Sequence, residues 1–224
     1  MRPHHIIFDC DGVLVDSEPL SMKIDVELLA ENGVVMSEHE AHARFVGKTF
    51  AAMIDEVSRE FGVSFPADTS AQKDLRLLAL YERALKVVPG VADALGAIGH
   101  HHYSVGSNSP AERVAAALRI TGLAEYFGDR ITSFEHVARP KPEPDIFIEA
   151  ARRAGYRSED CVVIEDSVTG VTAAHRAGCR ILGFTGTNPD PDAQALKLLA
   201  AGASFAFSRM EALPTMVKDL LHPA

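Results

Sequence analysis

Short apolar runs alternate with helical patterns along most of the chain, and this alternation limits the possible folds more than any other feature. Each run is rich in β-branched or aromatic residues, as strands buried on both faces are. The runs lie at residues 5–8, 102–106, 130–133, 161–164 and 180–184, and the helical patterns between them at 110–120, 144–154 and 167–177. Strands separated by helices form right-handed βαβ units. The sequence therefore predicts an α/β fold with a Rossmann-like parallel sheet.

One long segment, from residue 17 to residue 87, breaks this rhythm because its patterns are helical throughout. Leu20, Ile24 and Leu28 mark an amphipathic helix, and further helices are expected at residues 37–44, 49–61 and 71–85. The alternation resumes after Pro89 and Gly90, which interrupt regular structure. We therefore predict two domains: an α/β core of residues 1–16 and 88–224, and a helical domain of residues 17–87 inserted after the first strand.

Charge and composition exclude several classes of partner. The 224 residues carry a formal net charge of -9, and no basic stripe of the kind that binds nucleic acid occurs. An acidic protein is also a poor ligand for anionic membrane surfaces, and no apolar stretch is long enough to span a bilayer. The three cysteines form no disulfide framework. We expect a cytoplasmic protein that binds neither nucleic acid nor membranes.

Two carboxylates follow the first predicted strand in the segment HIIFDCDG. Asp9 and Asp11 fall at its carboxyl end, where parallel sheets bind ligands, and Gly12 lets the backbone turn sharply. Two carboxylates held close together resist joint ionisation unless a cation lies between them, and Mg²⁺ prefers such oxygen ligands. The same residues also suit a simple turn, and the pattern DxDG alone does not decide between a turn and a metal site.

Polar residues also follow two later parts of the predicted sheet. Ser107 and Asn108 come after the second strand, where a hydroxyl and loop amides suit phosphoryl oxygens, although the neighbouring Ser109 would also serve as a helix cap before Pro110. Lys141 stands between two prolines, which restrict its backbone as a lysine aimed at one point requires. An ordinary solvated loop lysine is the alternative.

A second acidic pair, Glu165 and Asp166, ends the run CVVIED. Its acidic side chains could simply complement the dipole of the helix that begins near Ser167. Taken together, the strand ends offer two acidic pairs around a cation, with a serine and a lysine beside it to hold an anion. This combination predicts phosphoryl transfer with a carboxylate nucleophile.

Four segments, DCDGV, SNS, RPKPEPDIF and VIEDS, occur in this order, and the chain resembles the haloacid dehalogenase (HAD) superfamily in its phosphatase and phosphomutase branch. The segments FDCDGVLVDSE and KPEPDIF are similar to those of the β-phosphoglucomutase-like subfamily of small sugar phosphatases. The resemblance implies that the helical insertion is a four-helix bundle cap domain. It also implies a monomer that acts on a small phosphorylated substrate.

The resemblance also assigns roles to the motif residues. Asp9 is expected to attack phosphorus and to form an aspartyl-phosphate, while Asp11 acts as general acid and then as general base. Ser107 and Lys141 are expected to complete the catalytic set by binding the phosphoryl oxygens. Asn108 and Lys48 are expected to bind the substrate. The expected Mg²⁺ ligands are Asp9, the backbone carbonyl of Asp11, Glu165 and Asp166.

Three other activities are weighed against an Mg²⁺-dependent phosphatase. A dehalogenase needs neither the acid at Asp11 nor the metal ligands, and a non-catalytic descendant should have lost a motif residue. A β-phosphoglucomutase-type phosphomutase is the nearer alternative. In that family the mutases use a hinge histidine and a cap arginine, and the corresponding positions here are Ser21 and Phe50, although Arg44 and Lys48 could hold a distal anion. We therefore expect hydrolysis.

Overall fold

A six-stranded parallel sheet forms the core of the structure, a computed structural model that describes residues 5–45, 49–99 and 103–221. Its strands in chain order are β1 (His5–Phe8), β2 (Tyr103–Ser107), β3 (Ile131–Ser133), β4 (Cys161–Glu165), β5 (Arg180–Phe184) and β6 (Phe205–Phe207). Their spatial order is β3-β2-β1-β4-β5-β6. The α/β class predicted from the sequence is confirmed. The sixth strand, at the edge beside β5, was not predicted.

Helices alternate with these strands as the sequence pattern indicates. Their bounds are α1 (Glu18–Glu31), α2 (Glu38–Phe45), α3 (Phe50–Phe61), α4 (Thr69–Ala84), α5 (Val91–Ile98), α6 (Ala111–Ile120), α7 (Ala124–Phe127), α8 (Asp145–Arg153), α9 (Val168–Arg176), α10 (Pro191–Ala201) and α11 (Leu213–Leu221). Of these, α5, α7 and α11 were not expected. The long helices of the predicted insertion begin and end within about three residues of their expected positions.

The centre of the sheet is buried on both faces. Every residue of β1 and β4 is buried, which explains why both strands are continuous apolar runs. Ile7 and Val163 pack with Phe147 of α8 and Val171 of α9 in one hydrophobic cluster. Burying each such side chain contributes about 1.5–3 kcal/mol. The strand ends that carry the polar motifs therefore rest on a rigid core.

The chain divides into two compact units. One consists of Met1–Asp16 and Lys86–Ala224 and contains the sheet, and the other is Ser17–Leu85 and contains α1 to α4. The second unit has its own hydrophobic cluster, which includes Leu29, Phe45 and Val57. The division after Leu85 falls two residues before the boundary expected at residue 87. Val87 belongs to the sheet unit because it forms an antiparallel bridge with Val15.

Within the sheet unit, the segments on either side of the insertion run antiparallel. The Asp16 amide donates to the Lys86 carbonyl at 3.0 Å, and the Val88 amide donates to the Leu14 carbonyl at 3.0 Å. Chain entry into the helical unit and return from it therefore occur at neighbouring points. Among the described residues, none of the helices has both the length and the apolar composition needed to cross a bilayer.

Candidate active site

Asp9 lies immediately beyond the central strand β1. Phe8 pairs with Val105 of β2 and with Ile164 of β4, and the Asp9 amide continues this ladder by donating to the Ile164 carbonyl at 2.9 Å. The side chain is buried, with 7 % of the residue exposed. The strand order thus places Asp9 between the ends of β2 and β4, and its backbone is fixed on the β4 side.

Lys141 connects Asp9 to Glu165. Its Nζ donates to Asp9 Oδ1 and to Glu165 Oε1, both at 2.7 Å, and all three residues are buried. The Nζ also lies 4.8 Å from the centre of the Phe147 ring, a cation–π contact. The alternative of a solvated loop lysine is therefore wrong. Removing one partner from such a buried ion pair costs about 3–5 kcal/mol, so this arrangement is stiff.

The main chain of Lys141 is held by Asn108. Asn108 Oδ1 accepts a hydrogen bond from the Lys141 amide at 3.0 Å, and Asn108 Nδ2 donates to the Lys141 carbonyl at 3.2 Å. A further contact comes from Arg176 of α9, which donates to the Pro142 carbonyl at 3.1 Å. Restraint by the flanking prolines is thus supplemented by two side chains from other parts of the sheet unit.

Glu165 is placed by the turn that starts α9. Its Oε2 accepts from the Ser167 amide at 2.9 Å and from the Ser167 hydroxyl at 3.0 Å, while the Ser167 hydroxyl accepts from the Gly170 amide as the helix N-cap. A Cβ on Gly170 would lie 1.6 Å from Glu165 Oε1. Only glycine at position 170 therefore leaves room for this carboxylate.

Three carboxylates converge at the end of the sheet. One oxygen each from Asp9, Glu165 and Asp166 lies within 4.8 Å of the other two, and Asp9 and Glu165 are buried. Gly12, with a φ of +78°, is confined by the same group, because a Cβ there would lie 2.1 Å from Asp166 Oδ2. Carboxylate oxygens are the ligands that a hard divalent cation prefers, so the donor set fits Mg²⁺.

The three carboxylates of this cluster repel one another at this distance, and Lys141 pairs with two of them. A divalent cation would reduce the remaining repulsion. The pKa of Asp9 is raised to about 7, mainly by burial; the Glu165 and Asp11 carboxylates add to the rise, and Lys141 opposes it. The pKa of Lys141 is raised despite its burial, because Asp9 and Glu165 stabilise the ammonium form.

The carboxylate of Asp11 contacts a different set of groups. Its Oδ2 accepts a hydrogen bond from the Ser109 hydroxyl at 2.5 Å, and that hydroxyl accepts in turn from an Arg113 nitrogen at 2.6 Å. The Ser107 hydroxyl accepts from the Ser109 amide at 3.0 Å. Ser107 is buried at the carboxyl end of β2, so the loop after β2 is tied both to its own strand and to Asp11.

Two residues from the segment after β5 reach the same loops. Thr187 Oγ1 donates to the Gly12 carbonyl at 2.9 Å, and Gln194 Nε2 of α10 donates to the Asp166 carbonyl at 2.6 Å. This segment therefore holds the main chain on both sides of the acidic cluster.

The structure brings most of the expected residues together. Asp9, Lys141, Glu165 and Asp166 form one connected group, and Asp11 and Ser107 meet through Ser109. The Asn108 amide contacts the Lys141 backbone, and substrate binding by this residue stays a prediction. Lys48 lies outside the described residues.

Sequence reasoning missed five residues that shape the site, and only one of them had a visible signal. Gly170 stands near the N-terminus of a helix, where an interior glycine is costly and so calls for an explanation. The sequence around the others gives no sign of the side-chain hydrogen bonds through which they act: Ser109, Arg113, Thr187 and Gln194.

Several known proteins are similar to this chain in sequence and in fold. The chain is 32 % identical over 185 residues to 6-phosphogluconate phosphatase from Escherichia coli, covering 82 % of this chain and 83 % of that protein. A conserved haloacid dehalogenase-like protein of unknown function from Agrobacterium tumefaciens is 36 % identical with a TM-score of 0.84, over 96 % of this chain and 97 % of that one. A HAD family hydrolase from Deinococcus radiodurans, solved with bound phosphate and sodium, is 32 % identical with a TM-score of 0.79, over 100 % and 99 % of the two chains.

The family model for haloacid dehalogenase-like hydrolases matches residues 3–178, which include each of the four sequence motifs. This span ends before β5, so Thr187 and Gln194 lie outside it. The resemblance inferred from the motifs is confirmed, and the chain belongs to the haloacid dehalogenase-like hydrolase family.

Proposed function

We propose that this protein is an Mg²⁺-dependent phosphatase that hydrolyses a small phosphorylated metabolite, a sugar or sugar-acid phosphate, through an aspartyl-phosphate on Asp9. The observation that carries the proposal is the position of the Lys141 ammonium, 2.7 Å from both Asp9 and Glu165, beside a cluster of three carboxylates. A site with this distribution of charge can bind a cation and an anion side by side. A phosphate monoester with its metal ion has that character.

The metal ligands proposed are Asp9, Glu165 and Asp166 through their carboxylates and Asp11 through its backbone carbonyl. When bound, the ion supplies Lewis-acid polarisation of the phosphoryl group. The convergence of three carboxylates supports a divalent ion over a monovalent one. The fully oxygen donor set supports Mg²⁺ over softer metals.

In the first half-reaction, a carboxylate oxygen of Asp9 attacks phosphorus and forms a new P–O bond. The bond from phosphorus to the substrate oxygen breaks, and Asp11 gives its proton to the departing alkoxide. Lys141 and Ser107 bind the phosphoryl oxygens. The ammonium also reduces the repulsion between the anionic carboxylate and the anionic phosphate.

In the second half-reaction, Asp11, now ionised, takes a proton from water as the water oxygen attacks phosphorus. The bond from phosphorus to Asp9 breaks, which releases inorganic phosphate and restores both carboxyl groups to their starting states. One residue serves as acid and as base because the two half-reactions leave it in opposite protonation states.

The helical unit, residues 17–85, is proposed to be the cap domain that selects the substrate and excludes water. Lys48 is proposed to bind an anionic part of the substrate. The relative named 6-phosphogluconate phosphatase supports a sugar-acid phosphate as substrate. Arg44 is a poor candidate for a distal anion, because its guanidinium already pairs with Glu56 and Glu60.

A phosphomutase is the second candidate. One assay of product formation separates phosphatase from mutase activity. The substrates are a panel of phosphorylated sugars, polyols and sugar acids, with inorganic phosphate and sugar phosphate isomers measured in parallel. We expect phosphate release with Mg²⁺, loss of release with chelator, and a drop of at least 1000-fold in Asp9→Asn, as expected for loss of a covalent nucleophile (~10³ or more). The matched control is Asp93→Asn, an exposed carboxylate on α5.

Two results would contradict the proposal. If Asp9→Asn releases phosphate as fast as wild type across the panel, Asp9 is not the nucleophile. If an isomer forms from a sugar phosphate without net phosphate release, the protein is a mutase.

A further inference from the structure

The hydroxyl of Ser109 lies between a guanidinium and a carboxylate. Arg113, in the first turn of α6, donates to Ser109 Oγ at 2.6 Å, and Ser109 Oγ lies 2.5 Å from Asp11 Oδ2. Ser109 is buried with 5 % exposed, and all three residues belong to the sheet unit. These contacts link helix α6 to the loop that follows β1.

The direction of these hydrogen bonds is set by chemistry. A guanidinium can only donate, so Ser109 Oγ must accept from Arg113. The single hydroxyl proton of Ser109 is then directed to Asp11 Oδ2, because a serine hydroxyl has one proton to give. A hydroxyl that accepts from a cation is also polarised, which strengthens its own donation.

We propose that Ser109 and Arg113 are positioning residues for Asp11, which fix one carboxylate oxygen so that the other faces the substrate oxygen; this inference rests on the proposed function. With Oδ2 held by Ser109, rotation of the carboxyl group is restrained. The remaining oxygen, Oδ1, then carries the proton that reaches the leaving group. Arg113 acts one step further away, through Ser109.

A role in building helix α6 does not account for these contacts. The N-cap residue of α6 is Pro110, which makes no side-chain capping bond. The Ala111 amide at the start of the helix donates to Glu135 Oε2 at 2.7 Å. The expected capping role of Ser109 is therefore wrong. Its hydroxyl is directed at Asp11, away from the helix.

Positioning of the general acid should matter in proportion to how much the leaving group needs a proton. An alkoxide from a sugar phosphate is a poor leaving group, and general acid catalysis contributes about 10²–10⁴-fold for such steps. A nitrophenolate leaves without help. The value of kcat/KM reports the first half-reaction, in which the leaving group departs, so it isolates this effect from the later attack of water.

The test compares kcat/KM for 4-nitrophenyl phosphate with that for the best alkyl phosphate of the panel. We expect Ser109→Ala to lower the alkyl value about 10- to 100-fold and the nitrophenyl value less than about 3-fold. Ser109→Thr keeps the hydroxyl and should restore most of the alkyl activity. Arg113→Met should give a smaller loss with the same selectivity, whereas Arg119→Met, an exposed arginine on the same helix, should leave both values unchanged.

Asp11→Asn separates failure of this inference from failure of the proposed function. If Asp11→Asn shows the alkyl-selective loss but Ser109→Ala and Arg113→Met lower both substrates equally, the positioning role is overturned and the proposed mechanism stands. If Asp11→Asn lowers kcat/KM equally for the two substrates, Asp11 is not the general acid. Both the positioning role and the proposed mechanism are then contradicted. Melting temperatures of all variants identify any that fail to fold. If Ser109→Ala does not fold, the comparison of the two substrates is made with Arg113→Met.

Discussion

Asn108 holds the main chain of Lys141 on both sides, accepting from its amide at 3.0 Å and donating to its carbonyl at 3.2 Å. The two residues are 33 positions apart in sequence. The ammonium at the end of the Lys141 side chain contacts both Asp9 and Glu165, so a shift of this backbone would move the cation relative to both carboxylates.

Replacement of Asn108 should therefore act mainly on turnover. We expect Asn108→Ala to lower kcat about 10- to 100-fold with little change in KM, because a misplacement of about 1 Å in a reacting group costs on that order. Steady-state kinetics on the best substrate measures both constants. A raised KM with unchanged kcat would instead identify Asn108 as a substrate contact, as the sequence first indicated.

Replacement of Gly170 by alanine should disable the site. The added Cβ would lie 1.6 Å from Glu165 Oε1, so Glu165 must move away from Lys141. We expect a loss of activity of at least 100-fold together with a lower melting temperature, since a buried ion pair is disrupted at a cost of about 3–5 kcal/mol.

The matched control for that substitution is Gly96→Ala in α5, where a Cβ meets nothing within 4 Å. This change should keep full activity and stabilise the protein by about 0.5–1 kcal/mol, the usual gain from alanine over glycine in a helix. Equal activity of the Gly170 and Gly96 variants would show that Glu165 is not required where the structure places it.

The stability of Asp9→Asn relative to the wild type should rise with pH when no metal is present. The folded pKa of Asp9, about 7, lies above its ordinary value of 3.8, so the folded state binds more protons between these values. Stability of the metal-free wild type therefore falls as pH rises from about 4 to about 7, and an asparagine lacks this dependence.

Thermal denaturation with chelator at pH 5 and pH 8 measures this difference. The melting temperature of Asp9→Asn, relative to that of the wild type, should rise by several degrees from pH 5 to pH 8, at about 2–4 °C per kcal/mol for a chain of this size. A difference in melting temperature that is the same at both pH values would contradict the raised pKa. Addition of Mg²⁺ should favour the wild type instead, because only the carboxylate binds the ion well.

Gln194 should influence metal affinity although it contacts no proposed ligand atom. Its Nε2 donates to the Asp166 carbonyl at 2.6 Å and so fixes the backbone from which this carboxylate projects. We expect Gln194→Leu to weaken Mg²⁺ binding by about 10-fold, the lower end of the effect seen for residues that orient metal ligands.

Calorimetric titration of the metal-free protein measures this affinity without an activity assay. Gln72→Leu is a suitable control, because Gln72 in α4 makes a comparable side-chain hydrogen bond, to Asp68, within the helical unit. A Gln194→Leu variant that binds Mg²⁺ as tightly as the control would show that the Asp166 backbone needs no such support.

The sequence predicts those parts of the site that lie at the ends of buried strands. Asp9 and Glu165 follow or end the apolar runs of β1 and β4, and Ser107 ends the short buried strand β2; the carboxyl ends of these parallel strands share one edge. Lys141 was found because two prolines restrict it. Each of these signals is local in the chain.

The remaining residues could not be predicted because their roles depend on long-range contacts. Ser109 sits where a helix cap is common, and only the structure shows its hydroxyl on Asp11, 98 positions away. Thr187 lies in a loop pattern and contacts Gly12, 175 positions away. The edge strand β6 was missed because its apolar run, FAF, has only three residues and is not fully buried.

The pairing of Val15 with Val87 makes the chain modular. Where the helical unit is inserted, the polypeptide leaves and rejoins the sheet unit at two adjacent main-chain segments, so a segment of different length or sequence can replace it without altering how β1 pairs with β2. In a phosphatase of the proposed kind, evolution could exchange the part that chooses the substrate while the bond-breaking residues stay unaltered.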